Sequence, residues 1–304
     1  MKIFSNDIFT LNSESDEEYW RAQITAGAIL YLLWGGLGNQ LFGLSSAHLI
    51  HLETGRRIII DTANCEHFDS DGLPESLKFQ KYGDWATFID SGEDYLNDLK
   101  ASAKSVLECQ SFQDTHDSYF GWRPTITMLR DSSLFVPPPT RPERQGNSEV
   151  VIGVHVRQGD YKKYPYLGLV SFNYYERALK FAISKFPNAK VIFFSDEIEA
   201  ALKLAMRLGV GFNDGNAFST LATLEVMSSV DILICANSTY SFWGAYLGNI
   251  PAIYPYPWFL TDPAWGSQLI SNKDTVINQW RFTQLTLMVK KAKTKFKYFW
   301  SLFF

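Results

Sequence analysis

The sequence predicts an α/β protein of two units, each built around a mostly parallel sheet. The first observation is that short apolar strand segments alternate with longer amphipathic helix segments. The stretch "AILYLLWGGLGNQLFGLSSAHLIHLETGRRIIID" encodes a strand, a glycine-rich turn, a helix and a second strand. Such a βαβ order implies parallel strands. The second observation is the polar, proline-rich stretch "VPPPTRPERQGN" at 136–147, which is typical of a linker.

The first unit is predicted to start with a poorly specified, polar and acidic lead-in at 1–24. The βαβ segment follows, and its helix is indicated by Leu41, Leu44 and Ala47, which recur near a 3.6-residue period. Residues 62–135 carry less pattern, with helices predicted around 84–108. We therefore expect a first α/β domain over 1–145.

The second unit repeats the alternation after the linker. Its predicted order is strand "VVIGVHV", helix "NYYERALKFAISKF", strand "AKVIFFSD", helix "EIEAALKLAMRLG", helix "ATLEVMSSV", strand "DILICANS", helix "STYSFWGAYLG" and a closing segment "IPAIYPYPWF". We expect this Rossmann-like domain to span 146–288, with a basic and aromatic tail at 289–304.

Composition narrows the class of protein. The net charge of −4 gives no indication of a nucleic-acid partner. Cys65, Cys109 and Cys235 are far apart and form no CxxC pair, which disfavours a disulfide framework or a zinc site. The acidic N-terminal segment does not resemble a signal peptide, and the longest apolar run is about half of the ~20 residues that a membrane span needs. We expect a cytoplasmic protein.

The C-terminal stretch has a composition of its own. Five lysines fall between 290 and 297, and five aromatic residues follow within 298–304. Basic residues beside aromatic ones suit the surface of an anionic membrane, which predicts peripheral contact with the inner face of the membrane. The alternative is a solvated basic tail whose aromatic residues pack back on the domain.

Four predicted strand ends carry residues suited to ligand binding, because open parallel sheets bind ligands beyond the carboxyl ends of their strands. In "WGGLGNQLF", glycines let the backbone approach a ligand, and the following helix begins with polar residues. The candidates are Gly36, Gly38, Asn39 and Gln40. A tight βα turn without a ligand is the alternative.

The second strand end is "VHVRQGDY". Arg157 can contact phosphate oxygens bidentately and stays charged at every physiological pH. His155 points to the same face of the strand, because side chains alternate along it. The alternative for Arg157 is a surface salt bridge with Asp160.

The remaining two strand ends are "FFSDE" and "ANSTYSFWGAYLG". Asp196 could accept hydrogen bonds from a guanine edge or a ribose, or could cap the following helix. Asn237, Ser238, Thr239 and Ser241 gather where a strand becomes a helix, more polar residues than capping requires. Helix N-termini attract phosphate through N–H groups and the helix dipole.

No metal site is predicted. The four ends supply hydrogen-bond donors and one permanent cation, which can neutralise a leaving diphosphate without a metal. The acidic "DSD" at 69–71 follows "NCEHF" instead of an apolar strand, so we interpret it as a loop. His51, His67 and His116 show no ligand spacing.

The motifs together resemble those of the α-1,2-fucosyltransferases of glycosyltransferase family 11. "GGLGNQLF", "GVHVRQGDY", "FFSDE" and "ANSTYSFWGAYLG" occur in that family's order and approximate spacing, over about residues 28–260. The resemblance implies a GT-B-type fold with two facing Rossmann-like domains and a GDP-fucose donor. It also implies inversion at the anomeric carbon, no metal or other cofactor, and transfer to the 2-hydroxyl of a galactose-terminated glycan, such as an O-antigen unit. The domain over 146–288 would bind the GDP-sugar, and the domain over 1–145 would lie on the acceptor side.

The resemblance also implies roles for the candidate residues. His155 and Arg157 would hold the diphosphate, and Asp196 would help to place the nucleoside. The diphosphate would also be bound at the helix start by Ser238, Thr239 and Ser241. The first domain would face the diphosphate and sugar with Gly36, Gly38, Asn39 and Gln40. Asp160 is the candidate catalytic base, and the alternative is that it holds Arg157 in place.

The sequence departs from the family pattern at three positions. The family's second arginine is Gln158 here, and milder changes are Glu197 and Phe242. Because adjacent strand residues face opposite ways, positions 157 and 158 serve different purposes. Two alternatives follow from Gln158: a transferase for another GDP-sugar or acceptor, and a sugar-nucleotide-binding protein with weakened catalysis.

Overall fold

A computed structural model of the chain describes residues 9–10, 14–65, 86–90, 106–109, 149–163, 167–258 and 274–279. The chain divides into two compact units, Met1–Pro139 and Thr140–Phe304. Each contains a five-stranded sheet in which every described pair of strands is parallel. The predicted α/β fold with mostly parallel, Rossmann-like sheets is confirmed. A GT-B-type fold also consists of two such units.

The first unit has the sheet order β1-β4-β3-β2-β5. Its strands and helices are β1 (Phe9–Thr10), α1 (Glu14–Thr25), β2 (Ile29–Gly35), α2 (Leu37–Thr54), β3 (Ile58–Cys65), β4 (Ala86–Asp90) and β5 (Val106–Cys109). The predicted strand, glycine turn, helix and strand are present. β2 and β3 are buried along most of their length, as expected of strands covered on both faces.

Two segments of the first unit differ in part from the sequence-based expectation. The lead-in at 1–24 contains most of helix α1, whose Trp20 and Ile24 are buried against the sheet. The range in which helices were predicted, 84–108, has strand β4 near its start and most of β5 at its end, while residues 91–105 lie outside the described residues. β4 reads "ATFID", and its threonine, phenylalanine and isoleucine favour a strand when neighbouring strands complete its hydrogen bonds.

The second unit has the sheet order β10-β9-β8-β6-β7. Its elements are β6 (Val151–Val156), α3 (Phe172–Lys185), β7 (Lys190–Ser195), α4 (Ile198–Leu208), α5 (Thr220–Ser228), β8 (Ile232–Ile234), α6 (Thr239–Leu247), β9 (Ala252–Tyr256) and β10 (Thr275–Asn278). All predicted elements of this unit are found, and the sequence reasoning missed β10 and a short 3-10 helix at Asp160–Lys162 among those described.

The order of strands in the second unit fixes where a ligand can bind. The chain runs from β6 outward to β7 and then returns to β8 on the other side of β6. This reversal is a topological switch point, and open α/β sheets bind ligands beyond the carboxyl ends of the strands at such a point. The residues that follow β6 and β8 therefore lie where such a sheet would bind a ligand.

The outer edge of β7 is covered by the segment 213–216. Both backbone groups of Phe193 are bonded to this segment. Its N–H donates to the Asn213 carbonyl at 2.8 Å, and its carbonyl accepts from the Gly215 N–H at 2.7 Å. The Asn213 amide donates to the Val191 carbonyl at 2.8 Å. The Asn216 amide bonds both backbone groups of Ser195, at 3.2 and 3.0 Å.

Candidate active site

Arg157 follows β6 and contacts two carboxylates. Its Nη2 lies 2.8 Å from Asp160 Oδ1, and its Nη1 lies 3.1 Å from Asp196 Oδ2. The Arg157 side chain is 33% exposed, so it faces solvent at the carboxyl end of the sheet. A guanidinium carries five N–H donors, and these two contacts leave others that can bind a ligand. The alternative of an Arg157–Asp160 salt bridge is thus present, together with a second partner.

Asp196 follows β7 and ties the two strand ends together. Its Oδ1 accepts a hydrogen bond from the Gln158 backbone N–H at 3.0 Å, while Oδ2 contacts Arg157. Helix α4 begins after Glu197, and Asp196 is not its capping residue. A Cβ atom on Gly159 would lie 2.6 Å from Asp196 Oδ2, so a larger residue at position 159 would require the carboxylate or the turn to shift.

Position 158 contributes through its backbone. The hydrogen bond to Asp196 comes from the Gln158 N–H, which every residue except proline carries. Replacing the family's arginine with glutamine therefore leaves this contact between the strand ends in place. The glutamine removes one positive charge beside Arg157 and Asp160.

Tyr161 connects the Arg157 region to the start of helix α6. Its hydroxyl donates to the Asn237 carbonyl at 2.8 Å, and its ring centroid lies 5.6 Å from Arg157 Cζ. Burial raises the pKa of the Tyr161 phenol well above its usual value, while the nearby Arg157 charge opposes that shift. The sequence reasoning missed this residue, although it ends the motif "VHVRQGDY".

The start of helix α6 lies at the carboxyl end of β8. Ser238 is the N-cap residue, and its hydroxyl accepts from the Tyr240 N–H at 3.3 Å. Thr239 is half-buried at the first helical position. Ser241 is fully buried, and its hydroxyl donates to the Ser238 carbonyl at 3.1 Å. The Ser241 side chain thus contributes to the local structure, and its role in donor binding stays a prediction.

Asn237 holds a loop beneath the site. Its side-chain nitrogen lies within hydrogen-bonding distance of the carbonyls of Leu167, Gly168 and Trp258, at 3.1, 2.8 and 3.0 Å. The residue is completely buried. Its amide nitrogen therefore fixes backbone segments around the end of β8. Its role in binding the sugar nucleotide stays a prediction.

His155 is a buried, neutral imidazole. It is the penultimate residue of β6, and its ring centroid lies 5.7 Å from that of Tyr240 on α6. Burial, with the Arg157 charge adding to it, lowers the pKa of His155 to about 3. Its Nδ1 has no hydrogen-bond partner among the described residues. A neutral ring can donate one hydrogen bond to a phosphate oxygen but adds no positive charge.

The glycine-rich turn belongs to the first unit. Gly36 is the N-cap residue of α2, with no atom within 4 Å of where a Cβ would lie. Gly35 has φ +78°, a conformation that favours glycine. Gln40 is buried, and its amide donates to the Gly35 carbonyl at 2.6 Å. Gly38 is buried, and Asn39 is half-buried at the first turn of the helix.

In the second unit, the structure brings together five of the predicted residues, His155, Arg157, Asp160, Asp196 and Ser238. Arg157 and the N-terminus of α6 both bring positive charge to this sheet end and favour an anion. The described part of the chain holds no group of three or more metal-ligating side chains. The "DSD" stretch at 69–71 and the tail at 289–304 lie outside the described residues.

Comparison with known proteins shows what this segment is similar to. Residues 143–281 match the sequence profile described as Glycosyl transferase family 11. The match contains all the site residues of the second unit, and it confirms the resemblance that the motifs predicted.

Two curated relatives come from Escherichia coli. An α-1,2-colitosyltransferase is 25% identical over 271 residues, which covers 75% of this chain and 91% of the relative. The O-antigen biosynthesis glycosyltransferase WbnK is 29% identical over 115 residues, covering 35% of this chain and 38% of that relative. Among solved structures, a family 9 glycosyl transferase from Veillonella parvula matches 87% of this chain and 90% of its own, with TM-score 0.44 and 11% identity.

No helix in the described ranges is both long and apolar enough to cross a membrane.

Proposed function

We propose that this protein transfers fucose from GDP-fucose to the 2-hydroxyl of a galactoside, as in an O-antigen unit, with inversion and without a metal. The observation that carries the proposal is the placement of Arg157 beside the start of α6, joined to it by Tyr161, at the switch point of the sheet. The family 11 match supports glycosyl transfer, and the name of one relative, an O-antigen biosynthesis glycosyltransferase, supports an O-antigen acceptor.

The reaction would require charge stabilisation at the leaving diphosphate. The acceptor oxygen forms a bond to the anomeric carbon while the bond from that carbon to the diphosphate oxygen breaks. Arg157 and the α6 N-terminus then stabilise the charge that develops on the diphosphate, and one preorganised donor is worth roughly 3 kcal/mol. His155 can add a neutral N–H donor.

Asp160 has two candidate roles in this reaction. It lies 2.8 Å from Arg157, and this contact supports a positioning role over that of the base that takes the acceptor proton. Asp196 is the second positioning group for Arg157, and 22% of its side chain is exposed. In the proposed reaction, Asp196 also accepts a hydrogen bond from the nucleoside.

A second candidate is the same chemistry with another GDP-sugar. The specific observation is that a relative aligned over 75% of this chain is named for colitosyl transfer. Gln158, which stands where the family pattern has arginine, is the residue in this chain that most favours a changed donor. Both candidates share the GDP moiety, so they differ only at the sugar.

The test is calorimetric titration in EDTA with GDP-fucose, GDP-colitose, GDP-mannose and UDP-galactose. We expect GDP-fucose to bind in EDTA and Arg157→Ala to weaken binding by roughly 100-fold, the loss expected for one charged donor to a diphosphate. Arg177→Ala is the matched control, since Arg177 is an exposed arginine on α3 that bonds to its own helix.

Three outcomes would contradict parts of the proposal. Tighter binding of GDP-colitose than of GDP-fucose would select the second candidate. Binding of UDP-galactose alone, or binding only after Mn²⁺ is added, would rule out a metal-free GDP-sugar transferase. Equal losses in Arg157→Ala and Arg177→Ala would remove Arg157 from the site.

A further inference from the structure

Phe218 is an aromatic residue exposed beside the candidate site. Its side chain is 97% exposed, the highest value among the large hydrophobic residues described. Single exposed hydrophobic residues are common, but an almost completely exposed phenylalanine gains much by packing against a flat apolar partner. Its position relative to the strand ends indicates what that partner is.

The backbone before Phe218 is fixed to the end of β7. Asn216 bonds both backbone groups of Ser195, the last residue of β7, and Asp196 follows directly. Phe218 is two residues beyond Asn216, so the two Cα atoms lie within about 7 Å of each other. Phe218 therefore lies near the strand end that carries Asp196.

The backbone after Phe218 is fixed to the region of helix α6. Ser219 caps helix α5, and the Thr220 carbonyl accepts a hydrogen bond from the Tyr240 hydroxyl at 2.5 Å. Tyr240 lies on α6 beside the buried His155 ring. Phe218 is thus held between the end of β7 and the start of α6, the two elements that carry Asp196 and Ser238.

We propose that the Phe218 ring is the stacking platform for the nucleobase of the nucleotide donor. This inference rests on the proposed function, which supplies a nucleoside diphosphate at this site. The diphosphate would lie at Arg157 and the α6 start, and the base would extend past Asp196 to the Phe218 ring. Every base has a π face, so the platform adds affinity for nucleotides generally, while edge contacts select guanine.

The experiment compares ligands with and without a base. GDP and inorganic pyrophosphate are titrated against the full chain and against Phe218→Ala, Phe218→Leu and Phe218→Trp. Stacking on an aromatic ring contributes enough for Phe218→Ala to weaken GDP binding about 5- to 150-fold. We expect Phe218→Leu to show most of that loss, Phe218→Trp to bind GDP at least as well as the natural chain, and pyrophosphate binding to stay unchanged.

Met206→Ala is the matched control, because Met206 is 73% exposed near the end of α4 and has no place in the site. It should bind GDP as the natural chain does. Thermal unfolding of each variant distinguishes a binding loss from a folding defect, since a surface ring that contacts no core residue should not change the midpoint.

The outcomes separate this inference from the proposed function. If Phe218→Ala binds GDP as well as the natural chain, the platform is wrong and the proposed function stands. If the acceptor KM rises while GDP affinity is unchanged, Phe218 belongs to the acceptor side, and the platform is also wrong. If UDP or ADP binds instead of GDP and its binding still depends on Phe218, the stacking role is supported and the GDP-fucose donor is wrong. If no nucleoside diphosphate binds, both the stacking role and the proposed function are wrong.

Discussion

At the scale of single residues, the site depends on how one guanidinium is held. Arg157 is anchored by Asp160 at 2.8 Å and by Asp196 at 3.1 Å, from two different strand ends. Two anchors fix the plane of the guanidinium before a ligand arrives, which lowers the entropy lost on binding. The same anchors place negative charge near the proposed diphosphate, so donor binding depends on the remaining N–H groups and on the α6 N-terminus.

The substitution Asp160→Asn tests which role Asp160 has. We expect kcat to fall by less than about tenfold and GDP binding to weaken roughly threefold, because Arg157 loses one charged anchor. The lost carboxylate is 45% exposed, so its repulsion of the diphosphate is largely screened by solvent. Steady-state kinetics and GDP titration give the two numbers separately.

A different pattern would assign Asp160 as the base. Loss of a general base lowers kcat by roughly 10²- to 10⁴-fold and leaves the affinity of GDP unchanged. Glu199→Gln is the control, because Glu199 is an exposed carboxylate on α4 that should affect neither quantity.

The sequence predicted the charged residues of the site but not the residues that support them. Arg157, Asp160 and Asp196 follow strand segments directly, so the strand-end rule finds them. Tyr161 and Asn237 act through backbone carbonyls far along the chain; for example, the Tyr161–Asn237 bond spans 76 residues. No local pattern encodes such a partner, because it depends on which strands become neighbours in the sheet.

At the scale of elements, the close approach of two strand ends depends on Gly159. The turn after β6 packs directly on the Asp196 carboxylate that follows β7, and a Cβ atom there would lie 2.6 Å from Oδ2. Gly159→Ala therefore has to shift Asp196 Oδ2, the atom that contacts Arg157, or the turn itself. We expect the free energy of unfolding to fall by about 1–3 kcal/mol and GDP binding to weaken as well.

Urea unfolding and GDP titration measure both effects, with Gly211→Ala as the control. Gly211 has open space at its Cβ position and no positive φ, so alanine fits there. Its free energy of unfolding should change by less than about 0.5 kcal/mol. Equal effects of the two substitutions would show that the Gly159–Asp196 contact does not constrain the turn.

Elements with a strong period were predicted well, and short strands without one were not. Helices α3 and α4 have clear amphipathic patterns, and both were found as predicted. β4 and β5 have five and four residues, too few to establish a period, and β10 is equally short. Such strands are stabilised by pairing with β3, β2 and β9, which are partners that the local sequence does not specify.

At the scale of the whole molecule, the described part of each unit contains one histidine kept neutral by burial. Burial, together with the nearby His51, lowers the pKa of His48 in the first unit to about 4. Burial and the Arg157 charge lower the pKa of His155 in the second unit to about 3. In the unfolded chain both titrate near pH 6.5, so below that pH the unfolded state binds more protons than the folded state.

The free energy of unfolding should therefore fall as the pH drops from 7 to 5. Each histidine contributes about 2 kcal/mol to that fall, because at pH 5 the unfolded side chain is protonated and the folded one is not. We expect His155→Asn to reduce the difference between the two pH values by about 2 kcal/mol, as measured by urea unfolding at each pH.

Tyr175→Phe serves as the comparison, since the Tyr175 hydroxyl donates to the His155 carbonyl at 3.0 Å without involving the imidazole. It should lower the free energy of unfolding by similar amounts at pH 5 and pH 7. If His155→Asn retained the full pH difference, the imidazole would not be a source of the acid sensitivity.

The covered edge of β7 has a consequence for how these molecules behave at high concentration. An open strand edge presents a row of unpaired N–H and C=O groups on which another chain can add a strand and begin an aggregate. Along β7, the outward groups from the Val191 carbonyl to the Ser195 carbonyl are already bonded to residues 213–216. This side of the sheet is therefore protected against intermolecular β-pairing, and Asn216→Ala would unpair only the two backbone groups of Ser195.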